Sequence, residues 1–211
     1  MLEPCFTVQP WLNRPRPLEG TGKGASRVPF PATSYMGRTL SRLEPALLIT
    51  LSPLADADPN AVEALLDAAF GADRRGRTAY KLREGMKVLP ELSLAAWEED
   101  RLVGALQCWP IALHSDAGDT DLILVGPVAV DPERQQQGIG RAMMREMLTH
   151  TDDRESLVLI GDPEYYGRHF GFIADQTANW ELPGPFERRR LLARTGGRDL
   201  PYRGMLGPRR G

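Results

Sequence analysis

Residues 135–141, Gln-Gln-Gln-Gly-Ile-Gly-Arg, place three glutamines and two spaced glycines where an apolar run has ended in Asp131-Pro132 and a helical pattern begins. The first N–H groups of a helix have no intrahelical acceptor, and the helix dipole adds partial positive charge there. Glycine has no Cβ to hold a ligand away from the backbone. Gln137-Gly138-Ile139-Gly140-Arg141 therefore suits an anion, a pyrophosphate in particular. Taken alone, Gly-x-Gly serves equally well as an ordinary loop-to-helix junction. A dinucleotide fingerprint fits poorly: it wants a small residue where Met143 stands, and its first glycine follows the strand almost directly, whereas Asp131 to Gln137 intervene here. Asp162 falls where a ribose-binding acid would be expected, but the preceding strands come as a meander and not as βαβ units. A second glycine-rich stretch, Gly20-Thr21-Gly22-Lys23-Gly24, fails as a phosphate loop because Gly24 stands where Ser or Thr is needed.

Other chemistry-bearing residues are few. Cys5 and Cys108 lie far apart and fit no ligand spacing, so neither a disulfide framework nor a zinc site is expected, in keeping with a reducing cytoplasm. His114 falls in a loop, and His150 at a helix end. His169, like both, reads first as a surface or capping residue. Glu91 starts a strand, where a carboxylate is more often solvated than catalytic. Tyr165 and Tyr166 stand side by side after Gly161-Asp162-Pro163, and each also reads as a tyrosine packed under a sheet.

The elements that position these residues are legible from periodicity. Residues 1–45 hold seven Pro and four Gly without a sustained period, and read as a flexible extension lacking the apolar stretch of a secretory signal. Ala46–Ser52 reads as an apolar strand. Pro59 opens an amphipathic helix with apolar residues at 62, 65, 66, 69 and 70. Residues 77–89 suggest a second helix. Two strands then flank a tight turn at Glu98 to Arg101, and Asp121–Val130 adds a third, interrupted at Gly126-Pro127. After the glycines, Ile139, Met143 and Met147 form one helical stripe with Met144 and Leu148 beside it, while Arg141, Arg145 and Glu146 point outward. Ser156–Gly161 is a buried strand, Gly161–Phe172 carries a short helix, and closing strands follow. The alternating Arg189–Arg194 segment reads as an edge strand with one solvated face, and residues 196–211 as a frayed basic tail.

At 211 residues, 42% hydrophobic and 26% charged, the chain has the composition of a globular domain, and no apolar run approaches membrane-spanning length. The net charge of −2 is unevenly spread: residues 46–185 carry 12 basic and 23 acidic side chains. That body argues against a nucleic-acid face and mildly favours cationic partners, although a solvated surface explains it as well.

In its wider context the loop becomes specific. Val128-Ala129-Val130-Asp131-Pro132 with Gln135-Gln136-Gln137-Gly138-Ile139-Gly140 resembles the acetyl-CoA motif of the GCN5-related N-acetyltransferases, whose loop runs Gln/Arg-x-x-Gly-x-Gly/Ala. Leu124–Pro132 is similar to the family's bulged fourth strand, and Gly161–Phe172 to its later motif with a tyrosine and Gly-Phe. The wording is similar to that of the YhbS-like branch, and the likeness covers roughly residues 46–195. It implies an α/β fold with a mixed, mainly antiparallel sheet, splayed central strands and flanking helices. It implies acetyl-CoA as co-substrate without metal, and direct transfer to the amine of a small molecule or protein, by a monomer or homodimer.

By the same resemblance, the amides of Gln136 to Arg141 hold the pyrophosphate, the backbone of Val128, Ala129 and Val130 pairs with the pantetheine arm, and an N–H near Val128 stabilises the oxyanion. Tyr166 matches the family tyrosine that protonates the leaving thiolate. One extra residue, at His169, separates it from Gly-Phe, which leaves Tyr165 open as a replacement. The general base stays unassigned. The rival reading is a non-catalytic acyl-CoA-binding regulatory module on the same fold.

Overall fold

In the computed structural model, the structure describes residues 48–152 and 154–209, together with the backbone of 6–8. Apart from residues 6–8, the expected extension lies outside the described residues.

Among the described residues, thirteen helices and strands follow in chain order. They are β1 (Phe6–Val8), β2 (Ile49–Pro53), α1 (Pro59–Phe70), α2 (Thr78–Leu82), β3 (Leu94–Glu98), β4 (Arg101–Ser115) and β5 (Gly118–Val130). Then come α3 (Ile139–Thr149), β6 (Ser156–Ile160), α4 (Pro163–Phe170), β7 (Trp180–Glu181), β8 (Leu191–Thr195) and β9 (Gly204–Pro208), with short 3₁₀ turns between some of them. The strands build one sheet in the order β1-β2-β3-β4-β5-β6-β8, mainly antiparallel, with parallel pairs at β1/β2, β5/β6 and β7/β9.

β4 is the spine. Its first half pairs with β3, and its second half, Ile111 to His114, pairs with β9. β5 follows it along nearly its whole length, with a shift between Leu106 and Cys108 that leaves Gln107 opposite Gly126-Pro127. The strand therefore continues through Gly126-Pro127 as a bulge, one of the readings that the Gly-Pro break allows.

Alternation along the strands divides the core. Ile123, Val125, Leu157 and Leu159 face the α3 side, where Met143 and Met147 are fully buried. Leu122, Leu124 and Val158 face the opposite side with Leu82 of α2. The stripe on α1, Val62, Leu65 and Leu66, lies on Ala95, Ala105 and Ala129. Small residues let both helices sit close to the sheet. A Cβ on Gly104 would stand 2.9 Å from Met143 Cε and 2.9 Å from Ala96 Cβ, so only glycine fits under α3 there.

Caps set the helix starts. Asp58 accepts from the Asn60 N–H at 3.0 Å with Pro59 in the first turn of α1, and Asp162 accepts from the Tyr165 N–H at 2.8 Å at the start of α4. Three expectations differ. α2 ends at Leu82, and the chain turns at Gly85, with φ 73°, where a longer helix was expected. The arginine-rich segment starts as a 3₁₀ turn at Arg188–Arg190; β8 after it is an edge strand as expected, but it is covered on both faces, with Leu191 and Leu192 in opposite halves of the core. Residues 204–208, expected to fray, are paired strand.

Candidate active site

The glycine loop is fastened before it reaches the helix. Asp131 accepts from the Glu133 N–H at 2.9 Å and receives Arg101 Nη2 at 2.6 Å. Arg134 grips Glu98 with Nε at 3.0 Å and Nη2 at 2.9 Å, tying the loop to the β3–β4 turn. Gln136 and Gly138 then take left-handed backbone angles, φ 66° and 82°, and α3 opens at Ile139. The Ala142 N–H is the first to bond back into the helix, to Gly138 O at 2.9 Å. The amides of Ile139 and Gly140 thus belong to the opening turn, where no intrahelical acceptor reaches them. Gln137 Oε1 is buried without a hydrogen-bond partner. The residues present fit an anionic group: donors at the positive end of a helix, with no side chain of their own on Gly138 or Gly140.

Loop and strand lie side by side. A Cβ on Gly140 would be 3.5 Å from Val130 Cγ2 and 3.7 Å from Val128 Cγ1. Beyond the bulge, the Asp131 N–H donates to Val103 O at 2.9 Å. Amide direction alternates along a strand. With Leu106↔Val128 and Gly104↔Val130 in register, the N–H and C=O groups of Val128 and Val130 therefore point away from β4. On that side β6 has left: its pairing with β5 is confined to Ile123↔Leu157 and Leu124↔Val158. A strand edge is left open inside the sheet.

A cavity of about 770 Å³ passes through this opening. Its floor is formed by Leu124–Val128 of β5 and Leu159–Asp162 at the end of β6. Tyr166 closes it from α4 and lies across Gly161, whose missing Cβ would be 2.6 Å from Tyr166 Cδ2. Burial pushes the Tyr166 hydroxyl up to about 12, with neighbouring Tyr165 adding to the rise and Arg190 opposing it. Tyr165 points outward, 39% exposed, and stacks edge-on against Tyr166 and His169. The additional residue at His169 is exposed on α4, and Tyr166 keeps its place in the cavity wall. Gln135 to Arg141 do not line this cavity; they lie beside its strand end, next to Val128 and Val130.

The opposite wall, from the α1–α2 side, was not anticipated from sequence. Arg74 is 1% exposed and meets Glu63 and Asp67 at 2.6 Å each and the Tyr80 hydroxyl. Burial disfavours its charge, but these three partners outweigh that and hold it above its ordinary value. Arg83, 7% exposed, donates from Nη1 to Gln107 Oε1 at 3.1 Å and lies 4.0 Å over the Tyr80 ring and 4.4 Å over that of Trp109. Arg77 and Arg190 complete a wall in which the only acids are Asp162 and Glu187. The acidic surplus of the chain is thus absent from the cavity.

The remaining candidates are placed elsewhere. Glu91 is exposed and outside the cavity. His114 lies in β4, where a loop was expected, with Nδ1 2.8 Å from Asp119. His150 caps α3 against Glu146 at 3.1 Å. Cys108 is buried, its thiol raised far above the ordinary range by burial, and it packs in the core. Among the described residues no group of His, Cys, Asp and Glu could hold a metal ion, and no helix is long and apolar enough to cross a membrane.

A family model described as an acetyltransferase (GNAT) domain matches residues 50–172, more than half of the chain. Among curated proteins, the uncharacterized N-acetyltransferase YjhQ of Escherichia coli K12 is 25% identical over 115 residues, which are 54% of this chain and 64% of that protein. The chain thus spans less than two thirds of that relative. A GNAT family acetyltransferase from Brucella melitensis, solved with acetyl-CoA, is 25% identical, with a TM-score of 0.52 over 76% of this chain and 96% of the other. The fold is also that of the Escherichia coli GNAT family N-acetyltransferase YhbS, solved with CoA. That structure is 24% identical, with a TM-score of 0.58 over 79% of this chain and 92% of the other.

Proposed function

The chain belongs to the GNAT acetyltransferases, and from that membership we propose that it moves the acetyl group of acetyl-CoA directly to a primary amine. The open edge of β5 carries this reading. Val128 and Val130 present backbone groups to a gap in the sheet, with helix-start amides beside one end and Tyr166 across it. The amides of Gln136 to Arg141, with Gln135 and Gln137 at the rim, hold the pyrophosphate. Val128, Ala129 and Val130 line the pantetheine arm, which takes the position of a missing strand. The complex with acetyl-CoA solved for the Brucella melitensis protein supports the choice of co-substrate.

In this geometry the amine nitrogen attacks the thioester carbonyl, and the Val128 N–H meets the negative charge that develops on oxygen. The C–S bond breaks as Tyr166 gives its proton to the departing sulfur, and the amine loses its proton to solvent. Tyr166 sits in an apolar slot where thiolate, too, is disfavoured, which narrows the gap between the two acids.

Thermal midpoints of the purified protein with acetyl-CoA, CoA, NADP and ATP test the assignment. At a hundred times its dissociation constant, a ligand of the folded state stabilises by about 2.7 kcal/mol. The expected result is a shift with the two CoA ligands alone, lost when Gly138 and Gly140 are both replaced by bulkier residues. A shift with NADP in place of CoA would overturn it. Binding of acetyl-CoA without turnover on any amine would favour the non-catalytic module.

A further inference from the structure

Arg83 is a charge buried at 7% exposure, and among the described residues none forms an ion pair with it. Glu63, the acid whose charge acts on Arg83, is paired with Arg74. The partners of Arg83 are all neutral: the Gln107 amide, Tyr80 by hydrogen bond and by its ring, and the ring of Trp109. A buried cation without a counter-ion is strongly disfavoured, and an anion entering the cavity would relieve that cost. Two rings hold the guanidinium plane, so its remaining N–H groups stand ready as a preorganised fork, the arrangement that matches a carboxylate. Trp109 Nε1, on one of those rings, is a buried donor with no acceptor.

Resting on the acetyltransferase reading, we propose that the acceptor is a small amine that also carries a carboxylate, and that Arg83 binds this group across the cavity from Tyr166. Both residues line the same space, one from each side of the splayed strands. A volume of about 770 Å³ is that of a small-molecule site and has room for a compact acceptor. Arg190, exposed at the mouth, adds attraction for an anion, and Asp162 and Glu187 orient the ammonium end before it loses its proton. Gln107 fixes Arg83 from the strand bulge opposite Gly126-Pro127, so the feature that opens β5 also sets the specificity wall.

The test compares amines that differ only in carboxylate against carboxamide: glycine and glycinamide, lysine and lysinamide, 4-aminobutyrate and 4-aminobutanamide. CoA release is measured per neutral amine, to remove the difference in amine basicity. In parallel, N-acetylglycine, N-acetyl-4-aminobutyrate and their carboxamides are titrated calorimetrically into the CoA-loaded full chain. At least one carboxylate is expected to exceed its amide by about ten-fold or more in kcat/KM or affinity, the scale of a hydrogen bond to a charged group. Arg83→Gln should collapse that ratio, and Arg83→Lys restore only part of it. Equal values within every pair, no carboxylate binding at all, or a preference that survives Arg83→Gln would each overturn the inference. If the variants do not fold, the wild-type ratios decide. Absence of turnover with carboxylate binding intact would instead sink the transferase reading and leave the anion site standing.

Discussion

Tyr166 keeps its proton to about pH 12 because it is buried, and that has two consequences. The proton-donating form is present throughout the neutral and mildly alkaline range, so its ionisation places no limb on the rate profile below about pH 11. Tyr166→Phe should lower turnover by about 10²-fold or more across that whole range, while the thermal shift with acetyl-CoA persists; unchanged turnover would remove Tyr166 from the chemistry. The second consequence is for stability. The folded value lies above the ordinary 10, so the protected hydroxyl favours the folded state fully below pH 10 and loses that contribution as pH rises towards 12. Urea midpoints should fall more steeply between pH 10 and 12 in the wild type than in Tyr166→Phe. Tyr166 was singled out by the resemblance of Gly-Asp-Pro-Glu-Tyr-Tyr to the family's tyrosine motif, with Tyr165 left open; in the structure Tyr166 lines the cavity and Tyr165 points outward. Arg83 was not legible. What singles it out is Gln107, brought to it across 24 positions by the pairing of β4, and no local pattern carries that.

At the scale of elements, α1 and the α1–α2 connection form the cavity wall, and Arg74 locks the two together. Its guanidinium joins Glu63 and Asp67 of α1 to Tyr80 of α2. Arg74→Met should cost about 2–4 kcal/mol in urea unfolding and raise KM for the amine more than it changes kcat. A loss of stability with KM unmoved would mean that the wall is not part of the acceptor site. Glu63 supplies the pH signature. Burial pushes its carboxyl up, but Arg74 and Arg75 outweigh that and hold it below its ordinary 4.5. Its contribution is thus present above pH 4.5 and disappears as pH falls through the folded value, so Arg74→Met should flatten the acid limb of stability. The elements themselves were mostly legible. α1 and α3 have an apolar stripe and a start signal, Asp-Pro in one and Gly in the other, and the meander is written in alternation. α2 was overestimated because its residues continue a helical pattern up to Gly85, where the left-handed turn wins.

At the scale of the whole molecule, the chain ends by returning to its centre. β9 pairs with Ile111–His114 of β4 along the stretch that β3 leaves uncovered, and it also carries β7. Leu206 is fully buried there, and the indole N–H of Trp180, itself fully buried, donates to Pro201 O at 2.9 Å. A Gly-Met-Leu-Gly-Pro strand has little propensity of its own, since glycine and proline weaken strands; its order comes from the partner edge, which is why the sequence suggested a tail. Its removal has consequences beyond its five residues. The edge of β4 would lie open, and β4 is the strand that aligns β5, whose open edge is the proposed acetyl-CoA site. Leu206→Ala should cost about 2–4 kcal/mol, the usual range for a buried leucine. Ending the chain at residue 196 should lower the thermal midpoint further and expose an edge that promotes self-association, visible by size-exclusion chromatography. The shift with acetyl-CoA should weaken in proportion, because the ligand site and the C-terminal strand lean on the same β4 backbone. A truncated chain that kept both its midpoint and its CoA response would show that β5 is aligned by β3 and α3 alone.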